Sequence, residues 1–256
     1  MDENEILREK YIDLDKKIRP IIKEKNLQLS NDNDKLTYPL FLKGFDQYQD
    51  SNPRLMIFGQ EANNWCDTEK KDCIYGERDD TNVDMIIDRY VGHFNEGNCE
   101  KNSPFWLVTK QFIQTFFEKN KDRYDVLWHE IYLWNNLVKV GRKEEGFPDK
   151  WYDDIIKPYF NSLVLEEIKI LKPDFIIFFT GSTETHENVL KDIFNDPEKP
   201  AVDGFAQEDL CEVKIPNVTK AFRTYHPQFL FRENKKRPYK EYIDKMIEEI
   251  NKCLPL

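Results

Sequence analysis

At 256 residues the chain can form one large α/β domain or two small ones, and 39% hydrophobic with 14% aromatic residues supplies a sizeable core. A formal net charge of −10 argues against a broadly phosphate-binding surface, and no run approaches the ~18 apolar residues that a membrane span needs. Five cysteines without a C-x-x-C pair argue against a disulfide framework and against the usual zinc and iron–sulfur spacings. Cys66, Cys73, His93 and Cys99 share one polar region, but at irregular spacing that reads as reduced, unligated thiols. No metal and no cofactor is therefore expected. The acidic start, Met1 to Glu5, lacks the basic-then-apolar layout of a secretory signal, and the expected location is cytoplasmic.

Residues 1–52 read as an N-terminal helix and extended segment packing on the core. Ile6, Tyr11, Leu14, Ile18 and Ile21 recur at helical spacing over 3–27, with Pro20 expected to bend or split the helix. Asn31 to Asp34 reads as a loop and Tyr38 to Leu42 as a short extended piece. The main domain, 53–256, opens with a strand at 54–58, whose run Leu55-Met56-Ile57-Phe58 suits burial on both faces. The strand is expected to stop at Gly59, with Gln60, Glu61, Asn63 and Asn64 in the turn that follows. Residues 66–102 form a polar insertion, with one or two helical turns at 83–91, read as a functional loop or lid.

Ser103-Pro104 then resembles a helix start, leading through Phe105, Val108, Phe112, Phe116 and Phe117. A second strand is expected over 130–134, ending in Asn135-Asn136. After a loop at 141–150, an amphipathic helix covers 151–171 with a break near Pro158. A third strand, 175–179, ends at Thr180-Gly181-Ser182, and a helix follows over 183–194. An edge strand is expected at 212–215 and a fourth core strand at 218–224, ending in Tyr225-His226-Pro227. A helix over 237–252 closes the chain.

Strands alternating with helices imply a three-layer α/β/α fold around a central, mostly parallel sheet of four to five strands. In such a sheet the carboxyl ends of the strands share one edge, where ligands bind. Gln60 with Glu61, Asn136, Thr180-Gly181-Ser182 and His226 all follow strand ends, so they are expected to meet at one crevice. An Asn amide offers a donor and an acceptor to a pyrimidine edge. A neutral His donates to an oxygen that gains negative charge, and a carboxylate orients water. This set suits cleavage of an N-glycosidic bond.

With these residues the chain resembles the uracil-DNA glycosylase superfamily, and most closely its iron–sulfur branch. Gly59-Gln60-Glu61 is similar to the family's first motif, in which the acidic residue handles the water. Tyr132 to Lys139 resembles the strand whose terminal Asn reads the uracil edge, the place of Asn136. Leu171-Lys172-Pro173-Asp174, the apolar run and Gly181 resemble the helix–strand–glycine unit before the last motif. His226-Pro227-Gln228-Phe229-Leu230 is similar to the His-Pro motif, which implies His226 at the base carbonyl and Leu230 as the wedge filling the gap left by a flipped base. Ser103-Pro104-Phe105 resembles the segment that supplies the stacking ring, which makes Phe105 the platform. The cluster cysteines of that branch are missing, and Ala62 stands where the family has Pro.

The resemblance implies catalytic Glu61 and His226, a pocket formed by Gly59, Gln60, Asn136, Phe105 and Trp65, and DNA contacts from Leu230, Arg232 and Ser182. Arg223, Arg232, Lys235, Lys236 and Arg237 form a basic cluster where phosphates would lie. Each residue also has a plainer use: Glu61 as a cap, Asn136 as a buried amide, Leu230 as core, the cluster as a helix start. His93, His129 and His186 read as surface or packing residues. The expected partner is single- or double-stranded DNA for a monomeric hydrolase. The alternatives are a non-catalytic protein holding a nucleobase-like ligand and an enzyme of small nucleosides.

Overall fold

The computed structural model describes residues 2–62, 65, 74–77, 81–97, 103–120, 131–144, 146–230 and 237–254. In chain order its helices are α1 (Glu3–Gln28), α2 (Asp46–Asp50), α3 (Val83–Asn95), α4 (Pro104–Lys119), α5 (Asp149–Trp151), α6 (Asn161–Leu171), α7 (Glu184–Phe194), α8 (Pro227–Leu230) and α9 (Tyr239–Asn251). The strands are β1 (Leu55–Glu61), β2 (Tyr132–Val138), β3 (Phe175–Phe178), β4 (Leu210–Glu212) and β5 (Lys220–Thr224). They form one five-stranded sheet in the order β2-β1-β3-β5-β4. Every neighbouring pair is parallel except β4–β5. Helices cover the sheet in a three-layer α/β/α arrangement, α4 packing on α9 and α1 on α6.

Two strands run further than their apolar residues suggest. β1 continues through Gly59 and Gln60 to Glu61, and β2 through Asn135 and Asn136 to Val138. Each supplies the other's partner, with Gly59 paired to Asn136 and Glu61 to Val138. Gln60 and Glu61, expected in a turn, and Asn136 are thus held in the sheet. The expected edge strand at 212–215 is instead Leu210–Glu212, antiparallel to the end of β5.

The helices bring corrections of the same kind. Pro20 neither ends nor divides α1, which runs on to Gln28 and buries Ile18 and Ile22 on either side of it. Near Pro158 the chain widens into a π-type stretch, Tyr152–Phe160, that joins α5 to α6, so the helical path from 149 to 171 is not broken.

The N-terminal segment belongs to the same core. Tyr11 stacks on Phe41, ring centroids 4.3 Å apart, and its hydroxyl donates to Glu167 at 2.8 Å. Glu167 is fully buried with Lys139, whose Nζ lies 2.8 Å from Glu167 Oε1 and 2.7 Å from Asn135 Oδ1. Burial pulls the Lys139 ammonium below its ordinary range, and the Glu167 charge opposes that pull. Asn135 Oδ1 also accepts the Asn136 backbone N–H at 2.8 Å. A buried ion pair with its polar valences filled therefore underlies the strand that carries Asn136.

The insertion is partly core. α3 is capped by Asn82 and buries Val83, Ile86, Ile87, Tyr90 and Phe94. β2 lies at the sheet edge, and the Tyr90 hydroxyl bridges its exposed side, accepting from Trp134 N and donating to Trp134 O, both at 3.1 Å. Leu40 N donates to Lys139 O, just past the end of the same strand, at 2.7 Å. An unpaired edge strand invites pairing with other chains, and these contacts close it. Residues 83–95 thus cover the edge of the sheet.

Candidate functional site

The carboxyl ends of the parallel strands open on a cavity of about 570 Å³, within the range for small-ligand pockets. Gly59, Gln60, Glu61, Phe105, Asn136 and His226 all line it, together with Trp134 and Gln228. Residues as far apart in sequence as Gly59 and Gln228, 169 positions, thus line one cavity.

Gly59 and Asn136 are cross-strand neighbours. A Cβ on Gly59 would lie 2.4 Å from Asn136 Oδ1 and 3.2 Å from the Phe105 ring. The missing side chain therefore makes room for both groups. Asn136 is 1% exposed, and its Nδ2 has no hydrogen-bond partner among the described residues. A buried amide donor left unsatisfied costs ~1–3 kcal/mol, so a ligand carbonyl here would gain what the fold forgoes. Phe105 is placed by the start of α4, where the Ser103 hydroxyl accepts from Trp106 N. Its ring meets Trp106 edge-on, with centroids 5.0 Å apart.

His226 follows β5, and its Nδ1 accepts the Gln228 backbone N–H at 3.2 Å. A neutral ring used in this way carries its proton on Nε2. Burial lowers its pKa to about 4, with Glu61 opposing the shift and His186 adding to it. The ring is therefore a neutral Nε2–H donor at ordinary pH.

Glu61 has a partner that the sequence did not reveal. His186 Nε2 lies 3.0 Å from Glu61 Oε2, and His186 Nδ1 lies 2.8 Å from the Thr183 hydroxyl. His186 is buried on the first turn of α7. Its spacing from Thr183 suits a helix start and carries no sign that the ring faces a strand 125 positions earlier. Gln60 reaches across to donate to Thr180 O at 2.7 Å. Gly181, at φ +76°, turns the chain there and donates its N–H to Thr224 O at 2.9 Å.

Other expected site residues lie elsewhere. Trp65 does not line the cavity; it packs against Trp134 and His93, with centroids 5.2 and 5.4 Å away, and so braces the pocket from behind. Leu230 is core, at 4% exposure, because the one-turn α8 directs it inward; Phe229, 40% exposed, is the outward apolar residue of that motif. An apolar wedge must reach solvent, which this placement denies to Leu230. Ser182 is half-buried beside Gly181 and outside the cavity lining.

Of the expected basic cluster, the two described members, Arg223 and Arg237, are engaged within the fold. Arg223 is buried on β5, pairs with Glu187 at 3.0 Å and donates to Glu208 O and Gln207 O. Arg237 donates to Gly204 O and lies 3.6 Å from Glu241. Arg232, Lys235 and Lys236 lie outside the described residues, as do Asn63, Asn64, Cys66, Cys73, Cys99 and His129. Among the described residues no group of three or more His, Cys, Asp or Glu side chains is placed to hold a metal.

Comparison with protein-family models finds no match, and comparison with curated protein sequences finds none either.

Proposed function

We propose that the chain is a uracil-DNA-glycosylase-like hydrolase that cleaves the N-glycosidic bond of a flipped, modified base in DNA without a cofactor. The observation that carries this reading is the Asn136 amide nitrogen, without a partner among the described residues, sharing one pocket with the neutral Nε2–H of His226. A planar ring lying on Phe105 would present its edge to Asn136 and a carbonyl oxygen to His226. As the C1′–N bond breaks, its electron pair stays with the base and negative charge gathers on that oxygen. A preorganised donor stabilises such charge more in the transition state than in the ground state. Glu61, at the carboxyl end of β1, faces the sugar side, stabilises the developing cation and orients the attacking water.

The test is base release from single-stranded and duplex oligonucleotides carrying uracil or other damaged bases. Wild-type protein is expected to excise at least one of them, and His226→Ala and Asn136→Ala to slow release by about a hundredfold while the far-ultraviolet circular dichroism is unchanged. Wild-type protein that leaves the whole panel intact overturns the reading.

A second reading, a non-catalytic protein that holds a nucleobase or nucleotide, draws support from the charge. Arg223 and Arg237 are engaged in internal pairs, and the chain carries a net −10. Tight binding of a free base or nucleoside, with no excision from any oligonucleotide, would favour it.

A further inference from the structure

The network behind Glu61 fixes hydrogen-bond roles in sequence. Thr180 O accepts from Gln60 Nε2 at 2.7 Å, which identifies that end of the Gln60 amide as nitrogen. The same Nε2 lies 3.4 Å from His186 Nδ1, and the Thr183 hydroxyl stands 2.8 Å from that ring nitrogen. Two groups able to donate converge on Nδ1, so Nδ1 accepts and the ring proton sits on Nε2. Nε2–H then donates to Glu61 Oε2 at 3.0 Å. Phe147 meets the imidazole edge-on, with centroids 5.9 Å apart, and helps to set its plane.

Thr183 bears on the purpose of this arrangement. It is the N-cap residue of α7, yet its side chain makes no capping bond to the helix backbone. A Thr cap is typically worth ~1 kcal/mol, and here the hydroxyl is directed to His186 instead. Helix stability alone would favour the opposite choice.

We propose that His186 is the positioning residue for Glu61. Its Nε2–H holds Oε2, leaving Oε1 to carry the water that attacks the sugar. This rests on the hydrolase reading above. In that reaction the C1′–N bond breaks with its electron pair on the base, a C1′–O bond forms to the water, and the water's proton passes to Oε1. Fixing one oxygen of a carboxylate removes its rotational freedom and aims the other, the kind of orientation from which general-base catalysis gains.

The test combines kinetics with a measurement that needs no turnover. His186→Phe keeps the ring volume and loses the donor; His186→Gln restores a donor near the Nε2 position. With the oligonucleotide that wild type cuts best, His186→Phe is expected to lower kcat by about tenfold to a hundredfold with KM within about twofold, and His186→Gln to recover most of that loss. Equal kcat for wild type and His186→Phe overturns the proposal, and so does a loss that Gln fails to relieve. Nitrogen-15 NMR of the free protein reads the ring directly: the Nε2–H tautomer of His186 at neutral pH is expected, with its signals displaced in Glu61→Ala. An Nδ1–H ring, or signals indifferent to Glu61→Ala, overturns the clamp. Should wild type cut nothing, the hydrolase reading fails separately, and the NMR result alone decides whether His186 fixes Glu61.

Discussion

At His226, burial lowers the imidazole pKa from the usual 6.5 to about 4, and the sign of the pH effect follows. As pH falls through 6.5 the unfolded chain takes up a proton that the folded ring still refuses, so stability declines until the folded ring also titrates near 4. The contribution is complete above 6.5 and amounts to about 3 kcal/mol at most, at ~1.36 kcal/mol for each pKa unit. Urea unfolding from pH 7 down to pH 4 is expected to show this slope, and His226→Gln to flatten it. On the proposed hydrolase reading, His226→Ala is expected to cost ~3 kcal/mol of barrier, about a hundredfold in the single-turnover rate constant for base excision. Gly59→Ala tests the room made for Asn136. Its Cβ would meet Oδ1 at 2.4 Å, so the amide must move. We expect ~1–3 kcal/mol of destabilisation in urea melts and at least about tenfold weaker base excision.

Among the elements, β2 is the most demanding, because it is a sheet edge carrying both the site Asn and a buried polar network. Lys139→Met or Glu167→Leu alone strands a charge in the core and is expected to cost ~3–5 kcal/mol. The double variant is expected to recover much of the loss, read as a coupling energy in a urea double-mutant cycle. Tyr90→Phe removes the hydroxyl that both accepts and donates at Trp134, and we expect ~1–3 kcal/mol of lost stability by the same measurement. Sequence periodicity placed these strands well and ended them too early. Apolar runs mark where a strand is buried, whereas strand length is set by the neighbour that supplies hydrogen bonds. Gly59 to Glu61 and Asn135 to Val138 extend because each faces the other.

For the molecule as a whole, charge decides how a nucleic acid could be held. Arg223 and Arg237 are committed internally, and the net charge is −10. Few released counterions are expected, so affinity for an oligonucleotide should fall with salt at a log–log slope of only about −1 to −2, by fluorescence anisotropy. A slope several units steeper would place many phosphates on the protein and contradict a pocket-dominated mode of binding. The sheet order β2-β1-β3-β5-β4 serves such a mode, since it sets the carboxyl ends of β2 and β1 side by side beneath the pocket.

The alternation of apolar runs with amphipathic stretches was enough to specify a mostly parallel, helix-covered sheet, because each buried strand needs cover on both faces. The ordered polar groups at strand ends were enough to nominate Glu61, Asn136 and His226, since parallel strands share one open edge. Tertiary structure alone paired Glu61 with His186, turned Leu230 into the core, spent Arg223 and Arg237 on internal partners and made α3 an edge cover. Those outcomes depend on which surfaces meet across long stretches of chain. A hydrophobic pattern records that a residue is buried or exposed; it does not record what stands opposite.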